Sequence, residues 1–370
     1  MKRTQLFDYH KQNGKLTEFA GYEMPLWYTS ITDEHLAVRN ACGIFDVSHM
    51  GRLAIKGRES AALLERLVPT NVQSQQVTKS FYTLLLNEQA GIIDDLIIFR
   101  KAEDEFLAVV NAANKDHDLS HVVKQAAGKE VEVEDQTSTS AMIALQGPRA
   151  AEVLAPLVGI DLASLKRFRG AETEVLGNPC TVSRTGYTGE DGFEIIVGST
   201  SVEEPKRALD VWNALAKSAK PCGLGARDSL RLEAGYPLHG SDIDEKTNPF
   251  EAGLSWVLSA AKAGYVGSEA ISRIRGAPPR VVAKGIVLDQ GIPRHGFDVL
   301  DDSGKIGAVT SGTFSPILRK GIALARVSAT VTDAVKPWVM IRDEKSTGRF
   351  AKPPFYDEKL YGWKRQSMGK

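Results

Sequence analysis

A change of pattern at residues 276–279 (GAPP) constrains the fold more than any other feature of the sequence. Before this segment, stretches with helical spacing of apolar residues are interspersed with strand-like stretches. After it, short strand-like runs alternate with glycine and proline turns, and residues 302–304 (DSG) carry a hairpin signal. Since 370 residues exceed one ordinary core, we predict an α+β region, a linker and a small all-β domain.

Local patterns before the linker predict both kinds of element. Residues 33–39 (DEHLAVR) place acidic residues before apolar ones, which is typical of a helix start. Residues 142–145 read as a strand, and the following Pro148 suits the first position of a helix. Residues 95–99 and 106–110 are predicted to be neighbouring strands across a polar turn.

Composition excludes several classes of protein. With 46 basic and 46 acidic residues the formal net charge is zero, which argues against a nucleic-acid binder. No window approaches the roughly 20 apolar residues of a membrane span, and residues 1–15 lack the apolar core of a signal peptide. Cys42, Cys180 and Cys222 are widely separated, and HDLSH at residues 117–121 lacks a third ligand. We therefore expect a cytoplasmic protein without disulfides or metal, and a solvated helix face at HDLSH.

Two adjacent aspartates stand in an apolar run, GIIDDLIIF at residues 91–99. Because successive side chains of a strand point to opposite faces, only one of Asp94 and Asp95 can enter a given pocket. An acid on the same face as Ile97 and Phe99 would sit at the edge of an apolar cavity, where desolvation raises its pKa. A turn aspartate beside a strand-edge aspartate explains the pattern equally well.

Two further segments combine glycines with charged residues. In RTGYTGEDGFE, residues 184–194, the glycines allow tight turns beside the strand that carries Glu194. A carboxylate there can accept two parallel hydrogen bonds from an amidine-like edge, although a cross-strand ion pair is the alternative. Arg227 and Arg231 share a helix face, either as a fork for a ligand carboxylate or as members of surface ion pairs.

Ten segments, taken in order, carry a resemblance to a known family. They are GYEMPLWY (21–28), GIFDVSHMG (43–51), GIIDDLIIF (91–99), VVNAAN (109–114), ALQGPRA (144–150), RTGYTGEDGFE (184–194), KPCGLGARDSLRLEAG (220–235), GIPRHG (291–296), TSGTFSP (310–316) and PPFY (353–356). The chain resembles the glycine cleavage T-proteins from residue 7 to about residue 361. No single motif is decisive, but the ordered set is specific.

The resemblance implies a three-domain architecture around a central folate-binding cavity. Residues 1–262 would form the folate-binding aminomethyltransferase region, and residues 280–358 a C-terminal β-barrel. Within the first region, residues 1–50 and 140–262 would form one discontinuous domain. Residues 51–139 would form a second domain inserted into it.

The resemblance also implies roles for individual residues. Asp95 matches the essential acid near folate N5 and N10, Glu194 the residue that grips the pterin edge, and Arg227 an arginine of the ligand site. The remaining positions expected to line the folate cavity are Met50, Tyr82, Ile97, Val109, Asn111, Tyr187, Trp256 and Tyr356. Whether Arg231 and Arg294 also contact folate stays open.

The implied reaction is that of an aminomethyltransferase. Its substrates would be tetrahydrofolate and the aminomethyl-dihydrolipoyl arm of the lipoylated H-protein, and its products ammonia, 5,10-methylenetetrahydrofolate and the dihydrolipoyl carrier. No metal and no membrane are implied. The alternatives are a folate-dependent demethylase and a non-catalytic folate-binding protein; relatives of the latter kind usually lack the paired aspartates and the RTGYTGEDG segment.

Overall fold

The structure is a computed structural model that describes residues 1–365. Its helices are α1 (Phe7–Asn13), α2 (Ile31–Asn40), α3 (Ser60–Leu67), α4 (Lys115–Ala126), α5 (Ala150–Leu154), α6 (Lys206–Leu215), α7 (Leu224–Ala234) and α8 (Ser268–Ile274), with 3-10 turns at Ala155–Leu157 and Ser255–Val257. Within residues 1–365, no helix is both long and apolar enough to cross a membrane.

Strands make up the rest of the regular structure. They are β1 (Lys15–Phe19), β2 (Tyr22–Trp27), β3 (Gly43–Asp46), β4 (Gly51–Lys56), β5 (Ser80–Leu86), β6 (Ile92–Ala102), β7 (Glu105–Val110), β8 (Glu132–Asp135), β9 (Ser140–Gln146), β10 (Gly170–Val175), β11 (Asn178–Ser183), β12 (Gly192–Gly198), β13 (Lys220–Pro221), β14 (Val281–Leu288), β15 (Asp298–Asp301), β16 (Gly304–Ser315), β17 (Lys320–Ser328), β18 (Trp338–Ile341) and β19 (Glu344–Phe350). The α+β class predicted from the sequence is therefore confirmed.

Two sheets form the body before the linker. A six-stranded sheet has the order β10-β11-β12-β9-β3-β13, and a five-stranded sheet has the order β5-β6-β7-β4-β8. All strands of the second sheet lie between β3 and β9 in sequence, so the chain leaves the first sheet, builds the second and returns. The predicted domain boundaries remain a proposal, which this division of the strands supports.

The last part of the described chain is a closed six-stranded barrel with the order β14-β17-β16-β15-β18-β19. Antiparallel pairing of β14 with β19 closes it, so no strand edge stays unpaired along that seam. Ile286, Val299, Val309 and Val339 fill its interior. The predicted hairpin joins β15 to β16, and residues 276–279 lie between α8 and β14. The C-terminal barrel is thus confirmed, and the linker at residues 276–279 stays a prediction that its position before β14 supports.

Local signals locate helix starts to within two residues. Helix α2 begins at Ile31, because the Ser30 side chain accepts a hydrogen bond from the Asp33 amide at 3.1 Å and caps the helix. Pro148 does not begin α5. A turn closed by the hydrogen bond from the Ala150 amide to the Gly147 carbonyl comes first, so the prediction for Pro148 was wrong by two positions.

Helix α7 lies between the main body and the barrel and so fixes where its side chains can reach. Ala226 and Leu230 pack in an apolar cluster with Phe45 of β3. Leu232, two residues beyond Leu230, instead packs against Ile322 of the barrel in a second cluster. Because both sides of α7 are packed, its polar residues have fixed positions relative to both parts of the molecule.

Candidate active site

Strand β6 separates the two aspartates as its alternation predicts. Asp94 is fully buried, whereas Asp95 and Ile97 are half-buried on the opposite face. Ile97 pairs with Tyr82 on β5 and with Val109 on β7, so the three half-buried side chains form one cross-strand row. The face of the five-stranded sheet that carries Asp95 is therefore partly open, and we call the space in front of it the cleft.

The Asp95 carboxyl is held at both oxygens. The Tyr82 hydroxyl donates to Oδ2 at 3.0 Å, and the Asn111 amide nitrogen donates to Oδ1 at 2.9 Å. Burial, followed by the negative charge of Asp94, raises the pKa of Asp95 to about 7, although the bonds from Tyr82 and Asn111 act in the opposite direction. A carboxyl with this pKa can hold or release a proton near neutral pH.

An exposed tryptophan covers Tyr82 on the solvent side. The rings of Trp256 and Tyr82 stack with centroids 5.5 Å apart and planes at 21°. Trp256 is 67 % exposed, which is unusual for so large an apolar side chain. It therefore marks the solvent side of the cleft and offers a flat surface to a ring-bearing ligand.

The six-stranded sheet contributes Glu194. This residue lies on β12, is half-buried, and accepts a short hydrogen bond from the Thr185 hydroxyl. Burial raises the pKa of Glu194, while Thr185 and the charge of Arg227 lower it. No ion pair of Glu194 exists within residues 1–365, so the structure does not contain the cross-strand ion pair considered as an alternative.

Helix α7 contributes Arg227, whose guanidinium lies over the Tyr187 ring at 4.9 Å from the centroid. Burial lowers the pKa of Arg227, and Glu194 and Tyr187 oppose this effect. Within the described part of the chain, the Arg227 side chain makes neither a hydrogen bond nor an ion pair. Its donors are therefore available to a ligand.

Tyr187 connects this arginine with the aspartate side of the cleft. Its hydroxyl donates to the Pro237 carbonyl, and its ring stacks on Tyr236 at 5.9 Å. Burial raises the pKa of Tyr187, and the charge of Asp95 contributes in the same direction. Tyr187 thus lies close enough to both Asp95 and Arg227 for their charges to interact with it.

Met50 and Tyr356 occupy different environments. Met50 is half-buried and packs with Val109 against the cluster beneath the cleft. Tyr356 is buried; its ring lies under the Arg39 guanidinium at 4.5 Å, and its hydroxyl donates to the Gly189 carbonyl at 3.5 Å. Its contacts therefore support the loop before β12, and its expected contact with the ligand remains a prediction.

The two arginines left open by the sequence are also in different environments. Arg231 is buried, and its guanidinium donates hydrogen bonds to Asp228, Asp242, Ser311 and the Tyr236 carbonyl. Arg294 is exposed in the loop between β14 and β15. Neither arrangement resembles the free, partly buried guanidinium of Arg227.

Sequence reasoning missed four residues around the aspartates and Glu194: Asn114, Asp118, His239 and Thr185. The Asn114 amide donates to Asp94 Oδ1 at 2.6 Å and also contacts His239 Nδ1 at 2.9 Å. Asn114 ends the VVNAAN segment three residues after Asn111, a spacing that could have indicated it. His239 comes from a distant segment and carried no such signal.

The polar groups of the cleft do not form a cation site. Among residues 1–365, no cluster of three or more histidine, cysteine, aspartate or glutamate side chains is arranged to hold a metal ion. The arrangement instead offers one acid that titrates near neutrality, one buried carboxyl and one free guanidinium. Such a set suits an organic ligand that carries both donor and acceptor groups.

Comparison with known proteins agrees with this architecture. Residues 6–262 match the GCVT N-terminal domain, and residues 283–357 match the glycine cleavage T-protein C-terminal barrel domain. The chain is 45 % identical to an aminomethyltransferase of Thermus thermophilus over 88 % of this chain and 91 % of the relative. It is 40 % identical to one of Halothermothrix orenii over 96 % of this chain and 100 % of the relative.

A solved structure shares the whole fold. The crystal structure of glycine cleavage system aminomethyltransferase T from Bartonella henselae superposes with a TM-score of 0.90 at 34 % identity, covering 98 % of this chain and 99 % of that one. The chain therefore belongs to the glycine cleavage T-protein family. Its catalytic activity is that of an aminomethyltransferase of the glycine cleavage system.

Proposed function

We propose that the cleft binds tetrahydrofolate and that Asp95 is the acid that serves the transfer to it. The observation that carries this proposal is the environment of Asp95. Its carboxyl is fixed by Tyr82 and Asn111 and has a pKa raised to about 7. It also lies close enough to Tyr187, whose ring Arg227 covers, for its charge to act there.

The remaining cleft residues match the chemistry of a folate. A pterin presents an N–H and an amino group on one edge, and the Glu194 carboxylate can accept both hydrogen bonds in parallel. Arg227 has free donors for acceptor atoms of the ligand, and the exposed face of Trp256 can pack on an aromatic ring. Met50, Ile97 and Val109 supply apolar walls.

The one-carbon donor is the aminomethyl group carried on the dihydrolipoyl arm of the H-protein. Folate N5 attacks this carbon, ammonia leaves, and N10 closes the ring to 5,10-methylenetetrahydrofolate while the dihydrolipoyl thiol is released. The lipoyl arm and the folate are both bulky, so holding them in attack geometry supplies much of the rate acceleration. A cytoplasmic location is part of this proposal.

Asp95 has two tasks in that sequence. As a carboxylate it stabilises the positive charge that develops on the one-carbon unit, and as a base it takes the proton from N10 when the ring closes. The apolar side chains around it keep water from attacking the one-carbon unit during the transfer. Both tasks require the ionised form, which a pKa near 7 makes available at neutral pH.

A coupled assay tests the proposal. Purified protein is mixed with tetrahydrofolate and aminomethylated H-protein, and ammonia and methylenetetrahydrofolate are followed together. We expect equal release of both products. Asp95→Asn should lose most of kcat, by roughly a hundredfold or more, and keep its Kd for tetrahydrofolate, which calorimetry measures.

Glu194→Gln serves as the matched variant, because it too removes one carboxylate charge from the cleft. It should raise the Kd for tetrahydrofolate by roughly tenfold or more and retain much of kcat at saturating folate. The proposed roles would be wrong if Asp95→Asn lost folate binding with chemistry unchanged. Folate binding without either product would favour the demethylase or the non-catalytic alternative.

A further inference from the structure

Two carboxyls lie behind Asp95 and do not reach the cleft. Asp94 of β6 and Asp118 of α4 are both 0 % exposed. Asp118 belongs to the buried stripe of α4 together with Val122 and Ala126, at helical spacing. The HDLSH segment was expected to form a solvated face. His117 and Ser120 are exposed there, but Asp118 points into the protein.

Asp94 is well supplied with hydrogen-bond donors. Its Oδ2 accepts from the Asn111 backbone amide at 2.9 Å, and its Oδ1 accepts from the side-chain amides of Asn111 and Asn114 at 2.8 and 2.6 Å. An ionised carboxylate has about four lone-pair sites. Asp94 is therefore stabilised as an anion and keeps room for a further donor.

Asp118, unlike Asp94, lacks hydrogen-bond donors around its carboxyl in the described part of the chain. Neither of its carboxyl oxygens has a hydrogen-bond partner within residues 1–365, and no cation there forms an ion pair with it. A buried carboxylate without a partner is strongly disfavoured, so the group takes up a proton. Burial, and then the adjacent charge of Asp94, raises the pKa of Asp118 far above its ordinary value. The neutral acid has one O–H to donate, and Asp94 is the acceptor beside it.

We infer that Asp118 is a neutral positioning residue whose O–H donates to Asp94, so that Asp94 keeps accepting from Asn111 and holds the amide that orients Asp95. This inference deepens the proposed function and rests on the role given there to Asp95. Asp118 touches no substrate and acts only through Asp94.

The groups around Asp94 explain how a hydrogen bond from Asp118 to Asp94 affects Asp95. The Asn111 side chain donates to both Asp94 and Asp95, so a proton on Asp94 would disturb the amide that orients Asp95. His239 lies on the other side of Asn114; its Nε2 donates to the Ile92 carbonyl and its Nδ1 accepts from Asn114. Tyr82 and Tyr187 are further titratable groups that face Asp95.

Carboxyl NMR on the full-length protein labelled with ¹³C at aspartate tests the protonation states directly. Asp94→Asn, Asp95→Asn and Asp118→Asn assign the signals. From about pH 5 to about pH 9, we expect Asp118 to stay at the position of a neutral acid, whereas Asp95 should titrate. An ionised or titrating Asp118 overturns the inference. This readout needs no turnover, so it stands apart from the outcome of the Asp95→Asn assay.

Kinetics give a second test with a matched pair. Asp118→Asn remains neutral and still donates an N–H, so kcat and the acid-side midpoint of its pH profile should stay near the wild-type values. Asp118→Ala removes the donor; kcat should fall about tenfold, and the pH at which the Asp95 signal titrates should shift from its wild-type value. Asp116→Asn, an exposed change on the same helix, is the control that should alter neither.

Two kinetic results would contradict the inference. If Asp118 were ionised in the wild type, Asp118→Asn would remove a negative charge near Asp95 and move the acid-side midpoint down by about one pH unit. An Asp118→Ala protein with unchanged kcat and an unchanged Asp95 titration would also overturn the inference. If Asp118→Ala does not fold, the wild-type NMR spectrum and the pH profile of Asp118→Asn still test the inference.

Discussion

Asp95 is surrounded by groups that act on its charge in opposite directions. Burial and Asp94 favour the neutral acid, while the bonds from Tyr82 and Asn111 favour the carboxylate. Because the pKa of Asp95 is raised, its ionised form is present above about pH 7 and is lost as the pH falls through that value. We therefore expect kcat to decline on the acid side with a midpoint near pH 7.

Tyr82→Phe tests the origin of that midpoint. The change removes a hydrogen bond to the charged form, so the pKa of Asp95 should rise and the acid limb should move upward. The shift should be roughly one pH unit, because a hydrogen bond to a charged group contributes about 1.5 kcal/mol. A pH profile of kcat measures it. Tyr236→Phe, which removes a hydroxyl that does not bond Asp95, is the control; a downward shift in Tyr82→Phe would contradict the prediction.

Arg227 and Arg231 have the same chemistry and lie one helical turn apart, yet we expect opposite effects from the same change. Arg227→Met should raise the Kd for tetrahydrofolate by roughly tenfold. It should leave thermal stability nearly unchanged, because within residues 1–365 the guanidinium packs on Tyr187 but makes no hydrogen bond or ion pair. Arg231→Met leaves the buried Asp242 carboxylate without its ion-pair partner and should lower the free energy of unfolding by about 3 kcal/mol. Calorimetric binding and denaturant unfolding of both variants separate the two roles, and equal effects would contradict this assignment.

At the scale of elements, the turn before β6 fixes where the aspartates begin. A Cβ at Gly91 would lie 1.8 Å from the Glu245 carbonyl oxygen, which is backbone and cannot rotate away. The amide of Ile92 bonds to the carbonyls of Asp244 and Thr247 in the same loop. The residues that follow His239 in the chain are thus locked against the start of β6.

Gly91→Ala should therefore be costly. The loop must shift, and we expect a loss of about 2 kcal/mol or more in the free energy of unfolding together with reduced kcat, because β6 carries Asp95. Gly159→Ala is the matched control, since the nearest atom to its added Cβ is 3.9 Å away. Denaturant unfolding compares the two. An unchanged Gly91→Ala protein would show that the loop yields at little cost.

At the scale of the molecule, α7 joins the main body to the barrel through a shared core. Leu232 is 0 % exposed and packs with Val287, Ile322 and Phe355. Polar contacts cross the same boundary, among them the bond from the Ser315 hydroxyl to Glu233 and the bond from Arg326 to Thr247. We therefore expect the main body and the barrel to unfold together.

Leu232→Ala tests this coupling. The cavity should cost about 2–5 kcal/mol and lower the midpoint of a single calorimetric transition. Leu176→Ala, at a site that is 46 % exposed, should change stability by less than about 0.5 kcal/mol. Two separated transitions in Leu232→Ala, with one unshifted, would show that the barrel folds independently of α7.

The sequence by itself determined the features that depend on local pattern. Strand alternation placed Asp94 and Asp95 on opposite faces, the segment at residues 276–279 separated the barrel, and the ordered motifs indicated the family. These features follow from nearest neighbours along the chain, because strand period and turn chemistry are local properties.

Only the tertiary structure decided which polar groups are free, paired or neutral. Arg227 and Arg231 lie on the same helix face, but within residues 1–365 only the Arg231 side chain has hydrogen-bond partners, among them Ser311 of the barrel. Asp118 stands in a polar segment typical of a solvated helix, yet α4 turns it against Asp94. Burial and charge are set by segments far apart in sequence, and burial together with neighbouring charge controls whether a side chain is ionised.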